Sequence, residues 1–166
     1  MNKLDFKRID TSDMEIVLTI LEAAAMGLKS KGIDQWSYWL DPPESKKKWL
    51  LDGLTNKEFY FLKQADETLG MIRILESDEL YWGKQNEAAL YIHSLVVQAE
   101  FKGRGLGVKA MLKVEEIARE KKINFLRLDC VSENQDLCNY YIQQGFKIVG
   151  KKQMPLSENT LFQKDL

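Results

Sequence analysis

Three glycines alternate at Gly103, Gly105 and Gly107, between an apolar run that ends at Val97 and a stretch of helical spacing that begins at Leu106. Glycine suits neither neighbour, so the pattern asks what must come close to the backbone. A loop that opens a helix presents unpaired N–H groups and the positive end of the helix dipole, a seat for phosphate oxygens. A side chain at any of the three positions would stand between an anion and those amides. A flexible helix entry is the other reading, and it accounts for one glycine better than for three.

Two familiar phosphate loops can be tested on the same residues. A Walker loop ends in Gly-Lys-Ser/Thr, whereas Gly107 is followed by Val108, Lys109 and Ala110. The Rossmann fingerprint finds Gly103 and Gly105 and then Val108, and Gln98 to Lys102 intervene where that fold needs a tight turn. Asp129 lies at a tolerable distance for its ribose contact, so a nucleotide-binding module stays open as an alternative. Cys130 and Cys138 lack metal-ligand spacing and the chain has a single histidine, so they read as free packing thiols and no metal is expected.

These residues have to be positioned by one domain, residues 1–166, because 166 residues with 45% hydrophobic content can bury a core and no repeat or linker divides them. The 24 basic and 25 acidic residues leave a net charge of −1 and a pI near 6.0, which gives a nucleic-acid backbone or an anionic membrane no electrostatic footprint. No apolar stretch is long enough to span a bilayer and the N-terminus lacks an apolar signal core, so the expected location is the cytoplasm. Along the chain, "LDFKRI" reads as a strand. "SDME" (Ser12 to Glu15) fits a capping box ahead of a helix carrying Met14, Val17, Leu18, Leu21, Ala24, Ala25 and Leu28. "GIDQWSYWLDPP" is an aromatic connection, "KKKWLLDGL" a short helix, and "EFYFLKQADETLGMIRILE" a hairpin turning near Asp66. A polar loop holds Tyr81 and Trp82 before "AALYIHSLVV", a strand too apolar for an exposed edge. Helix from Leu106, strand "NFLRLDCV", and a helix near Gln135 to Gln144 with Asn134 as N-cap follow, so strand, helix, strand makes a βαβ unit. "FKIVGKK" and "NTLFQKD" can close the sheet. The class is α/β or α+β, with a mixed sheet in which hairpins outnumber crossovers.

The loop, read as Lys102-Gly103-Arg104-Gly105-Leu106-Gly107, resembles the Q/R-x-x-G-x-G/A signature of the GNAT superfamily of acyl-coenzyme A dependent N-acetyltransferases, with Lys102 in the Gln/Arg place. "YIHSLVV" is similar to that family's fourth strand and "FLRLDCV" to its fifth. "NQDLCNYYIQQGF" is similar to its N-x-x-A-x-x-x-Y-x-x-x-G-F helix, with Leu137 in the Ala place. The resemblance covers Ala89 to Phe146. It implies a mixed, mostly antiparallel sheet flanked by helices, with a central βαβ unit whose parallel strands splay apart. Acetyl-CoA would be the co-substrate, its pantetheine arm paired with Leu95, Val96 and Val97. Its pyrophosphate would lie on Lys102, Gly103, Arg104, Gly105, Leu106, Gly107 and Val108, with Asn134 also on the cofactor.

Acyl transfer from a thioester passes through a tetrahedral intermediate and expels a thiolate, which leaves more easily if a hydroxyl donates to it. Tyr141 matches the family's general acid, and its alternative is a core aromatic, the part given to Tyr140. A lysine-like acceptor is deprotonated in only about one molecule in a few thousand at neutral pH, so a base has to help. His93, the lone histidine, is of the type whose unperturbed pKa suits the task; its alternative, if a bulge near Ser94 turns the strand, is a hydrogen-bonded core residue facing the helices. Glu76 is a second candidate, or a solvated charge. Trp36, Tyr38 and Trp39 with Asp34 or Asp41, and Trp82 as a neighbour, could wall an amine pocket, or the aromatics simply cap the core. The expected reaction is acetylation of a small-molecule primary amine, with a peptide or protein acceptor and a non-catalytic acyl-CoA sensor as the other readings. A second copy of the chain, in a homodimer, is a further candidate partner.

Overall fold

The computed structural model describes residues 3–166. Its strands are β1 (Asp5–Arg8), β2 (Phe59–Gln64), β3 (Glu67–Leu75), β4 (Leu90–Val97), β5 (Phe125–Val131), β6 (Lys147–Gln153) and β7 (Glu158–Asp165), hydrogen-bonded in the order β1-β2-β3-β4-β5-β7-β6. β4 and β5 run parallel, while β1–β2, β2–β3, β5–β7 and β6–β7 are antiparallel. The helices are α1 (Met14–Ser30), α2 (Glu44–Thr55), α3 (Glu79–Trp82), α4 (Leu106–Glu120) and α5 (Gln135–Gln143). This is the mixed, mostly antiparallel α/β sheet expected from the sequence. The strand that reads as too apolar for an edge is central.

The chain forms two compact units. One runs to Arg73 and takes up Ser94–Ala110; the other comprises Ile74–His93 and Met111–Leu166. In the first, α1 buries Val17, Ile20, Leu21 and Ala25, the i, i+3, i+4, i+8 positions of one helical face. They meet Leu50 and Leu54 of α2 and Phe59 of β2 in one core, each large apolar side chain contributing about 1.5–3 kcal/mol by leaving water. Into that core β3 sends Arg73, whose Nε and Nη2 donate to Glu58 at 2.8 and 2.6 Å while its guanidinium lies 4.0 Å from the Trp49 ring centre. Gly53 makes room for this pair: a Cβ there would come within 2.6 Å of the Phe59 ring and 2.7 Å of the Arg73 guanidinium.

Two expectations shift. The capping box sits earlier than Ser12 to Glu15. Thr11–Asp13 is a 3-10 turn in which the Asp13 carboxylate accepts the Asp10 backbone N–H at 3.4 Å, and α1 starts only at Met14. Asp13 reaches back to an extended Asp10, so Ser12 lies within the turn instead of capping it. The segment holding Tyr81 and Trp82 is not plain loop but the short helix α3, capped by Asp78, whose Oδ1 accepts the Tyr81 N–H at 3.4 Å.

In the second unit β5 is the spine. It pairs with β4 through Leu90↔Leu126, Tyr91↔Arg127 and Ile92↔Leu128, and with β7 along its whole length. β4 runs on to Val97 beyond that register with β5. At Ser94 its backbone turns to φ +50, a left-handed conformation that costs a non-glycine residue about 1–2 kcal/mol.

Candidate functional site

In the first unit the glycine loop follows a 3-10 turn at Ala99–Phe101 and feeds α4. Gly103 and Gly105 adopt φ +79 and +69, left-handed backbone that favours glycine at both positions for the chain's own path. A Cβ built on either would meet no protein atom within 4 Å, so packing does not demand them and their outer side is open. Gly107 lies in the first turn of α4. The Lys109 N–H makes an early helical bond to the Gly105 carbonyl at 3.1 Å, and the N–H groups of Leu106, Gly107 and Val108 precede it at the positive helix end. Lys102 and Arg104 are exposed, and the Arg104 guanidinium lies 5.3 Å from the centre of the Phe101 ring. An open, cation-flanked cradle of amides fits a pyrophosphate.

The adjoining end of β4 carries Leu95, Val96 and Val97. Val96 is buried and its carbonyl presses on β3, where a Cβ on Gly70 would lie 1.9 Å from the Val96 oxygen. Only glycine at position 70 lets the two strands approach this closely.

The second unit gathers the titratable side chains. His93 Nε2 lies 2.6 Å from Asp78 Oδ2, and Nδ1 lies 3.9 Å from Asp129 Oδ1. The Tyr81 ring packs at 5.2 Å from the imidazole centre. Asn159 donates to Asp129 Oδ2 at 2.7 Å and is itself oriented by Ser157 Oγ at 2.6 Å. Ligand atoms of Asp78, His93 and Asp129 all fall within 4.8 Å of one another, a spacing a divalent cation could bridge, though the 2.6 Å contact is already a short, charge-assisted hydrogen bond. His93 therefore lies within β4 and has polar partners from α3 and β5.

Tyr141 lies on α5 with its ring 6.0 Å from Phe146 and 5.7 Å from Phe162, and burial pushes its hydroxyl pKa well up, with Cys130 adding to the effect. Tyr140 is less enclosed, and burial raises it too. Cys130 and Cys138 are free thiols with their sulfurs 3.5 Å apart. Asn134 is the N-cap of α5, its Oδ1 accepting the Leu137 N–H at 3.2 Å.

The aromatic segment belongs to the first unit. Trp39 is buried, and Trp36 and Tyr38 pack half-buried against the core, which is the capping role. Trp36 nevertheless sits at φ +66, a strained conformation for a large side chain. The Lys46 ammonium lies 4.2 Å from the Tyr38 ring centre, so these rings already receive one cation. Asp34 is exposed and accepts from Ser37 Oγ at 2.7 Å. Trp82 is in the other unit. Its ring covers the buried Arg127 guanidinium at 5.2 Å and meets Tyr91 edge-on, and among the described residues its buried indole N–H has no hydrogen-bond acceptor. Glu76 is exposed and paired with Lys121 at 2.6 Å, the solvated-charge reading.

Sequence reasoning missed Asp78 and read Asp129 only as a ribose contact. Asp129 could have been found from the alternation of β5: Leu126, Leu128 and Cys130 are buried, which sends Asp129 to the opposite face. Asp78 carries only a weak signal, an N-cap residue before too few helical residues to show a period.

A model of the acetyltransferase (GNAT) family matches residues 31–146. The uncharacterized N-acetyltransferase YesJ of Bacillus subtilis (strain 168) is 28% identical over 144 residues, which are 83% of this chain and 78% of that protein. A GNAT-family acetyltransferase structure from Listeria monocytogenes 4b F2365 is 24% identical with a TM-score of 0.79, covering 98% of this chain and 95% of its own. PaiA N-acetyltransferase of Thermoplasma acidophilum, solved in complex with coenzyme A, is 19% identical with a TM-score of 0.70 and covers 99% of both chains.

Proposed function

This chain belongs to the acetyltransferase (GNAT) family, an acyltransferase by descent, and from that premise we propose that it moves an acetyl group from acetyl-CoA to the primary amine of a small molecule. The reading treats residues 1–166 as one catalytic domain. The observation that carries it is the loop at Gly103 and Gly105, open on its outer side and leading into the first amides of α4. There Lys102 to Val108 hold the pyrophosphate, while Leu95, Val96 and Val97 offer strand backbone to the pantetheine arm. Asn134, already spent on its helix cap, contributes to the cofactor through the fixed start of α5. Acetyl-CoA supplies an activated acyl thioester; the chain supplies the proton movements. His93 takes the proton that frees the amine lone pair, and Tyr141, kept protonated by burial, donates to the departing sulfur. A small cationic acceptor is favoured by the rings of the first unit, where Tyr38 receives the Lys46 ammonium, with Trp36 and Asp34 as further contacts.

The first test is a thermal shift comparing acetyl-CoA with NAD and ATP, followed by thiol release with acetyl-CoA over a panel of primary amines and lysine peptides. Stabilisation by acetyl-CoA alone and turnover with a small amine are expected; stabilisation by NAD or ATP instead would overturn the ligand assignment. The loop is tested by Gly105→Asn, since asparagine tolerates left-handed backbone and a β-branched residue at φ +69 does not. Its side chain fills the open cradle, and acetyl-CoA affinity should weaken by about tenfold or more, a loss of about 1.4 kcal/mol. Unchanged affinity in the folded variant would remove the pyrophosphate from this loop.

A further inference from the structure

The place of Asp78 in the fold accounts for only one of its two carboxylate oxygens. As the N-cap of α3 it needs one oxygen, and Oδ1 serves the Tyr81 N–H. The other oxygen, Oδ2, lies 2.6 Å from His93 Nε2 with both side chains largely shielded from water, 12% exposed for His93 and 6% for Asp78. An ionised carboxylate can only accept, so a contact this short places the imidazole proton on Nε2. The lone pair of the neutral ring is then on Nδ1, and Nδ1 faces Asp129 Oδ1 at 3.9 Å. Asn159 pins the other Asp129 oxygen at 2.7 Å, so that carboxylate cannot swing away.

We propose that Asp78 is a positioning residue for acyl transfer: it locks His93 in the Nε2–H tautomer and aims Nδ1 as the atom that takes the acceptor's proton. The proposal rests on His93 acting as the base. An ammonium N–H proton passes to Nδ1, and the electron pair of the broken N–H bond stays on the amine nitrogen. The ring becomes an imidazolium with one N–H toward Asp78 and the other toward Asp129, and later returns its proton to solvent. Two carboxylates on opposite sides of the ring stabilise that cation without either accepting the proton, and the Tyr81 ring packs 5.2 Å from the imidazole centre. Asp78 also explains why a four-residue helix is capped at all: the cap holds the carboxylate at the angle the ring needs.

The chain's single histidine makes the test direct, because ¹⁵N-histidine labelling reports one imidazole. In the parent protein the spectrum should show Nε2 protonated and Nδ1 unprotonated in the neutral ring. Asp78→Asn and Asp78→Ser both retain a good N-cap residue and both remove the anionic acceptor, so helix α3 is preserved while the tautomer is released. In each, the ring should become a mixture of tautomers or invert. With acetyl-CoA and 2-phenylethylamine as the probe amine, kcat should fall by about tenfold to 100-fold, less than the loss of the base itself would cost, while acetyl-CoA affinity is retained. A parent ring protonated on Nδ1 overturns the proposal, as does an unchanged tautomer in both variants. Full activity in His93→Gln sinks the base assignment instead, and the spectrum distinguishes that result because it reads Asp78's hold on the ring without turnover.

Discussion

Tyr141 and Tyr140 are neighbours on α5 with different fates, and only Tyr141 is enclosed, against Phe146 and Phe162. Burial raises its hydroxyl above the ordinary value of about 10, so it is a full donor throughout the working range. Tyr141→Phe should lower turnover by about 100-fold to 10,000-fold with little change in acetyl-CoA affinity, and Tyr140→Phe should do far less, since adjacent helical residues point about 100° apart. Equal turnover of Tyr141→Phe and parent, measured where chemistry limits the rate, would return the chain to the non-catalytic reading. Cys130 makes a prediction of its own. Burial, reinforced by Cys138, pushes its thiol far up, so the unfolded chain loses this proton first. The stabilisation is complete below the unfolded value of about 8.5 and is lost as pH climbs above it, by at most about 1.4 kcal/mol per pH unit. Urea unfolding at pH 7 to 10 should show that decline, and Cys130→Ala, although less stable overall, should flatten it. A stability constant across the range would refute the shift. The types of these residues were legible in the sequence, but the core place expected for Tyr140 falls to Tyr141 instead, because enclosure depends on Phe162 from β7.

At the scale of elements, β3 and β4 are held together by an absence. Gly70→Ala would put a methyl group 1.9 Å from the Val96 carbonyl, where backbone has to move. A loss of about 1–3 kcal/mol or more is expected by chemical denaturation, together with weaker acetyl-CoA binding, because Leu95–Val97 is the strand proposed for the pantetheine arm. A neutral Gly70→Ala would mean that β4 yields freely. The elements best read from sequence were those with a long period: α1 with its buried face from Val17 to Ala25, and β4 with its apolar run. Those misread were short. α3 spans a single turn, and the 3-10 turn ahead of α1 moves the reciprocal cap onto Asp10 and Asp13, positions that Ser12 and Glu15 imitate in composition. Ser94 at φ +50 is an irregularity of the kind expected from a bulge near that position, although nothing about serine itself announces a left-handed residue inside a strand.

For the molecule as a whole, a net charge of −1 and a pI near 6.0 predict a solubility minimum close to pH 6, to be read from precipitation curves in polyethylene glycol; a minimum elsewhere would show that charges are strongly perturbed in the fold. The glycine loop was legible because its residues are consecutive. The cluster around His93 was not, because Asp78, Asp129 and Asn159 come from α3, β5 and β7 and meet only through tertiary structure. The chain changes unit after Arg73 within β3, after His93 within β4 and after Ala110 within α4. Each change falls inside a regular element, so neither unit is an uninterrupted length of polypeptide. A recombination event with one breakpoint cannot transplant either of them intact.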